Sequence, residues 1–162
     1  MIFVGAVGAL KEGFELGEIC TPSYSISSGY ANTYLKESIR DFVPFERVYP
    51  RMDFIDSVIE NSQAKGLPIR KASVFCTASI ALEYYHLEEI KAFGTDLIEM
   101  ETSSFYLMAD LLEIPAIALL VVSDNSATGA ALIGRSAEQQ DRYEKGRSCI
   151  LPRMILNVAE MP

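Results

Sequence analysis

Apolar residues in this chain fall into two kinds of run that alternate along its length. The first kind is short and nearly continuous, as in Ile2-Phe3-Val4 and Ile117-Ala118-Leu119-Leu120-Val121-Val122. The second repeats at helical spacing, as Met52, Ile55, Val58 and Ile59 do before Gly66 and Pro68 end the pattern. Reading the runs in this way predicts strands over residues 1–7, 17–26, 69–76, 95–100 and 116–122. It predicts helices over residues 52–65, 87–93 and 101–112, and a closing helix over 136–158 that is interrupted or bent near Pro152. Pro22 cannot donate to a ladder, so the second strand is expected at an edge or at a bulge. The run 116–122 is apolar at every position, which suits a central strand covered on both faces.

Strand and helix alternate, so the expected class is α/β, with a mixed, largely parallel sheet flanked by helices. The chain opens directly on an apolar strand with nothing before it to cover it. The expectation is a single domain over 1–162 that lacks an N-terminal part of its sheet.

Composition narrows the function classes. Lys plus Arg total 14 against 22 Asp plus Glu, a net charge of -8, which disfavours partnership with nucleic acid or an anionic membrane. Cys20, Cys76 and Cys149 are odd in number and have no CxxC spacing, so neither a disulfide scaffold nor a zinc module is expected. No apolar run reaches membrane-spanning length, and the first residues lack the charged start and long apolar core of a signal peptide. A cytoplasmic location is the expectation, with no metal site.

Two carboxylates stand where strands end. Glu101 closes Ile98-Glu99-Met100-Glu101, and Asp124 closes Val121-Val122-Ser123-Asp124. If the two strands run parallel through a helical crossover, both acids reach one sheet edge, where open α/β folds build their sites. Glu101 has two readings. It can compensate a helix N-terminus, or it can accept hydrogen bonds from the vicinal hydroxyls of a ribose. Glu99, two residues earlier, shares its face if the strand continues. Asp124 can open the loop Asn125-Ser126-Ala127-Thr128-Gly129 as an Asx turn. Alternatively it acts as a general acid, since a carboxyl among apolar strand ends can retain a proton near neutrality.

Other candidates are weaker. His86 is the only histidine, so multi-histidine metal ligation is excluded and Ser-His-Asp catalysis would depend on it alone. Gly5-Ala6-Val7-Gly8-Ala9-Leu10 lacks the third glycine of a dinucleotide fingerprint. Arg135 can orient an acid or bind an anion, although a solvated arginine is the ordinary default.

Taken in order, these motifs resemble the purine nucleoside phosphorylase and uridine phosphorylase family. The resemblance is carried by Val4-Gly5-Ala6-Val7-Gly8-Ala9-Leu10, Leu16-Gly17-Glu18-Ile19-Cys20-Thr21-Pro22, Ile98-Glu99-Met100-Glu101 and Leu119-Leu120-Val121-Val122-Ser123-Asp124. It implies cleavage of the N-glycosidic bond of a purine nucleoside, by a homo-oligomer, with phosphate as co-substrate and no other cofactor. It implies that Glu101 holds the ribose hydroxyls, Met100 packs under the sugar, Glu99 assists and Ile98 lines the base side. Asp124, positioned by Ser123, would protonate or hydrogen-bond purine N7. The chain departs from the family at its phosphate ligands. An arginine before the glycine element and a serine or threonine within it are replaced by Phe3 and Ala6. Near Phe75-Cys76-Thr77, Ala78 and Ile80 replace the family's aspartate and stacking aromatic. Three readings therefore stand: an impaired phosphorylase, a nucleosidase using water, and a nucleoside-binding module without turnover.

Overall fold

The computed structural model describes residues 1–161. Six strands form one mixed sheet: β1 (Ile2–Ala9), β2 (Ile19–Ser27), β3 (Glu46–Val48), β4 (Arg70–Cys76), β5 (Leu97–Glu99) and β6 (Ile117–Asn125). Five α-helices flank it: α1 (Met52–Ala64), α2 (Leu87–Lys91), α3 (Thr102–Leu111), α4 (Ala137–Glu144) and α5 (Leu151–Ala159). The order across the sheet is β3-β2-β4-β5-β1-β6, and β2 also pairs with β6. That extra pairing, Ile19 with Val121 and Cys20 with Leu120, closes five of the strands on themselves like a small barrel. The long ladders, β1–β6 and β2–β4, are parallel.

The predicted α/β class with a mixed, largely parallel sheet is therefore the architecture observed. β6 is buried on both faces, as its unbroken apolar run requires. Ile117, Leu119 and Val121 pack with Ile55, Val58 and Met154 of α1 and α5. Ala118, Leu120 and Val122 pack on the other side with Val7, Val74 and Tyr106. The Tyr106 hydroxyl accepts from the Ala118 amide at 2.9 Å, so this buried ring keeps a partner for its polar end. β2 bulges between Pro22 and Tyr24, where proline was expected to disturb the ladder.

Two expectations change. First, β5 and β6 do not run parallel. β1 lies between them, antiparallel to β5 and parallel to β6, so a shared carboxyl edge cannot be what brings their residues together. The closing helix, expected to be interrupted or bent near Pro152, is interrupted just before it. A π-helical turn at Lys145–Ile150 separates α4 from α5, and Pro152 sits in the first turn of α5, where its missing N–H costs nothing. At that turn Gly146 lies against the backbone of Gly17, so closely that an added Cβ on either glycine would collide with a carbonyl oxygen. The second change is that residues 28–51 carried no predicted element but hold β3, paired to β2 through Ser25–Val48.

β1 is left unpaired along part of one edge among the described residues. β5 pairs with it only at Gly8 and Ala9. The Ile117 amide donates to the Met1 carbonyl at 3.0 Å, which turns the backbone groups of alternate residues from Met1 onward toward β6. Those of Ile2, Val4 and Ala6 face the opposite edge, where no strand pairs with them among the described residues. Among the described residues no helix is long and apolar enough to cross a membrane.

Candidate active site

The site is built on an irregularity in the β1–β6 ladder. Pairing runs from Ile2–Ile117 to Val7–Val122 and then skips, so that Gly8 faces Asp124 instead of Ser123. Ser123 is the extra residue of a bulge. Side chains alternate along a strand, so one inserted residue exchanges the two faces beyond it. Without the bulge Asp124 would continue the inward series Ala118, Leu120, Val122. With it, Asp124 joins the outward face of Gly8 and Ile98.

Contacts support this geometry. A Cβ built on Gly8 would lie 2.9 Å from Asp124 Oδ2 and 3.1 Å from Ile98 Cγ2. Only glycine leaves room for both neighbours. The Ser123 hydroxyl stands 2.6 Å from Asp124 Oδ1 and 3.2 Å from the Val7 carbonyl. Its single proton serves the carboxylate at the shorter distance. The Arg135 guanidinium donates to the Ser123 carbonyl from Nη2 at 2.7 Å and from Nε at 3.2 Å, and lies over the Tyr143 ring. Arg135 is thus a clamp on the bulge, not a solvated cation. The Asx turn belongs to the next residue. Asn125 Oδ1 accepts from the amides of Ala127 and Thr128, while its Nδ2 donates to the carbonyls of Lys11 and Phe14. Asn125 anchors the loop and leaves Asp124 free to face the cavity.

That cavity measures about 390 Å³. Ala6, Gly8 and Ile98 form its floor, Ser123 and Asp124 one wall, and Ile80, Glu83, Tyr84 and Leu87 the wall beside the 3₁₀ turn Glu83–His86. No lysine or arginine lines it among the described residues.

The structure sorts the Ile98–Glu101 motif. Ile98 lines the cavity. Glu99 is buried and receives four donors: the amides of Glu101 and Thr102, the Thr102 hydroxyl and the Cys76 thiol, all with an approach between 2.8 and 2.9 Å. The Ser25 hydroxyl adjoins the Thr102 hydroxyl at 2.7 Å and extends the network. Glu99 supplies the N-terminal cap of α3, since Glu101 at the N-cap position makes no side-chain cap bond. Because the chain turns into α3 after Glu99, Glu99 and Glu101 do not share a face. Met100 and Glu101 are exposed and lie outside the wall of the Asp124 cavity. Partial burial, and then the neighbouring charge of Glu99, raise the Glu101 pKa above the ordinary carboxylate value.

The replaced phosphate ligands are placed as follows. The Phe3 ring packs on Phe105, 5.4 Å between centroids, while Ala6 lines the cavity floor. Glu83 and the role of Gly8 were not legible beforehand. Glu83 lies in Ala81-Leu82-Glu83-Tyr84, which carries no motif, and a close backbone approach leaves no trace in composition.

Comparison with known proteins places this geometry in context. A family model described as the phosphorylase superfamily matches residues 1–150. A DeoD-type purine nucleoside phosphorylase of Geobacillus stearothermophilus is 26% identical over 129 residues, covering 80% of this chain and 53% of that protein. One from an Exiguobacterium species is 23% identical and covers 90% of this chain and 59% of its own length. The chain thus spans little more than half the length of the curated relatives it matches. Among solved structures, a Campylobacter jejuni 5'-methylthioadenosine/S-adenosyl homocysteine nucleosidase superposes with a TM-score of 0.73 at 18% identity, over 98% of this chain and 68% of that one. An AMP nucleosidase from Bacteroides thetaiotaomicron gives 0.60 at 22% identity, over 94% of this chain and 60% of its own. These likenesses concern the fold.

Proposed function

The chain belongs to the phosphorylase superfamily, and from that premise we propose that it acts on the N-glycosidic bond of a purine nucleoside. The observation carrying this reading is Asp124, turned out over Gly8 by the bulge and held by Ser123, in a cavity that also exposes Ile98. When C1′–N9 breaks, the bonding electrons go to the base and positive charge develops on the ribose. A proton or hydrogen bond from Asp124 to N7 stabilises the departing base. A nucleophile completes the bond at C1′ and, if it is water, loses a proton. Glu101 is the carboxylate available to the ribose hydroxyls, with Met100 beside it. Glu99 is already engaged by four donors, and its part is to hold the turn that presents Glu101.

Transfer to phosphate is the first form of this reaction, with phosphate as co-substrate and no other cofactor. Hydrolysis is the second, and a specific observation favours it. Among the described residues the cavity has acids but no cation on its walls, and Phe3 and Ala6 offer phosphate no side-chain donor. An anionic nucleophile in a partly dehydrated site normally needs converging cations or N–H groups. A homo-oligomer in the cytoplasm is part of the proposal, since the free edge of β1 calls for cover.

The test follows release of hypoxanthine and adenine from inosine and adenosine, in phosphate buffer and in buffer free of phosphate. Release dependent on phosphate supports phosphorolysis. Equal release in both supports hydrolysis. Binding of a nucleoside without release supports a binding module. No binding and no release of either nucleoside would overturn the purine reading.

A further inference from the structure

We infer that Glu83 is a second carboxylate of the base subsite and selects a base edge that carries a hydrogen-bond donor, so that 6-aminopurine nucleosides are preferred to 6-oxopurine ones. The inference rests on the reading of the Asp124 cavity as a purine site.

Glu83 opens the 3₁₀ turn Glu83–His86 and lines the same cavity as Asp124. It also borders the smaller hollow formed with Leu10, Leu87, Ile98 and Asp124. Its carboxyl group has no hydrogen-bond or ion-pair partner among the described residues. The surfaces between the two acids are mostly apolar, with Ile80, Leu87 and Ile98 prominent. Burial, and then the charge of Asp124, raise the Glu83 pKa above the ordinary carboxylate value. Glu83 and Asp124 line one cavity that has no lysine or arginine on its walls among the described residues, and this favours a proton on Glu83.

That state has a matching ligand. The N7 edge of a 6-aminopurine presents one acceptor, N7, and one donor, the 6-amino group. A carboxyl pair with one proton donates to N7 from one member and accepts the amino proton on the other. A 6-oxopurine presents two adjacent acceptors, N7 and O6. It requires a second proton on the pair, or else sets a lone pair of O6 against a carboxylate. A lower pH supplies that second proton, so discrimination should narrow as pH falls. The titratable groups sharing the walls that Glu83 borders are Asp124, Tyr84, His86 and Glu89. Of these, only Asp124 belongs to the pair described.

The experiment measures binding of adenosine and inosine to the full chain by calorimetry from pH 5 to pH 8, for the wild type, Glu83→Gln and Glu83→Asp. The wild type should favour adenosine by about tenfold or more at pH 8, the worth of one matched against one mismatched hydrogen bond to a charged group. That ratio should shrink toward pH 5. A glutamine amide can serve either edge and does not titrate, so Glu83→Gln should bind both nucleosides within about threefold at every pH. Glu83→Asp keeps the titration and should retain the pH-dependent preference in weakened form. Unfolding curves of the variants should match the wild type, because the Glu83 side chain makes no hydrogen bond among the described residues. Binding of both nucleosides with a ratio unaffected by Glu83→Gln would overturn this inference alone. Failure of both nucleosides to bind the wild type would overturn the purine reading and this inference with it.

Discussion

Gly8 and Asp124 face one another across the β1–β6 ladder so closely that a Cβ on Gly8 would lie 2.9 Å from Asp124 Oδ2. This contact exists because Ser123 is bulged out of register, and it ties the glycine element near the start of the chain to the acid near the end of β6. Gly8→Ala should push Asp124 and Ile98 apart. Base release, or nucleoside affinity if there is no turnover, should fall by about a hundredfold, the lower range for a displaced general acid. Stability should fall by about 1–3 kcal/mol, as for other overpacked sites. Gly29 has no neighbour within 4 Å of an added Cβ, so Gly29→Ala should be close to neutral in both measurements. Wild-type rates in Gly8→Ala would separate Asp124 from the chemistry.

Glu99 is expected to matter for folding more than for ligand contact. Replacing it with alanine leaves the amides of Glu101 and Thr102, the Thr102 hydroxyl and the Cys76 thiol without their acceptor. The cost should be about 3 kcal/mol or more, because several buried donors to a charged group are stranded together. Glu99→Gln should recover only part of this, since its amide NH₂ would meet donors. Urea unfolding midpoints decide the point. An unchanged midpoint in Glu99→Ala would mean that α3 is capped in another way.

The thiols make a pH prediction. Burial, followed by the charge of Glu18, pushes the Cys20 thiol from its ordinary 9.0 up to about 12. Burial, followed by the charge of Glu99, does the same for Cys76. A group whose folded pKa is raised contributes its full stability below the unfolded value, and loses it as pH rises from there toward the folded one. Between pH 9 and pH 12 the unfolded chain releases thiol protons that the folded chain keeps. Stability should therefore decline by roughly 1 kcal/mol per buried thiol for each pH unit above 9. Cys149 is exposed. A disulfide reagent at pH 8 should modify Cys149 rapidly and the other two only on unfolding. Rapid reaction of all three, or a stability profile flat from pH 8 to 11, would contradict the burial.

The free edge of β1 makes a prediction about assembly. Val4 is 45% exposed on a stretch whose alternate backbone groups have no strand partner among the described residues. Unprotected edges of this kind pair with other chains. Light scattering at micromolar concentration should show self-association, and Val4→Lys should weaken it, because a charge on an edge strand opposes pairing. A monomer at that concentration with cooperative unfolding would count against the proposal.

Hydrophobic pattern alone determined most of the segments of this protein that become strands and helices, the short β3 excepted. Residues 52–65, 101–112 and 116–122 needed no partner to be read, because amphipathic spacing and a continuous apolar run are local properties. The family's motif at Ile98–Glu101 and Ser123-Asp124 was equally local, as was the disturbance at Pro22. Tertiary structure decided how these pieces meet. The direction of β5 relative to β6 depends on β1 lying between them, and strand order is a long-range property that no short window carries. The inward or outward turn of Asp124 depends on one skipped register position opposite Gly8. The division of labour between Glu99 and Glu101 depends on where the strand stops and α3 begins. Glu83 joins Asp124 only because a 3₁₀ turn folds across the cavity. Local sequence sets the period of each element, whereas the pairing of distant elements sets which side chains share a site.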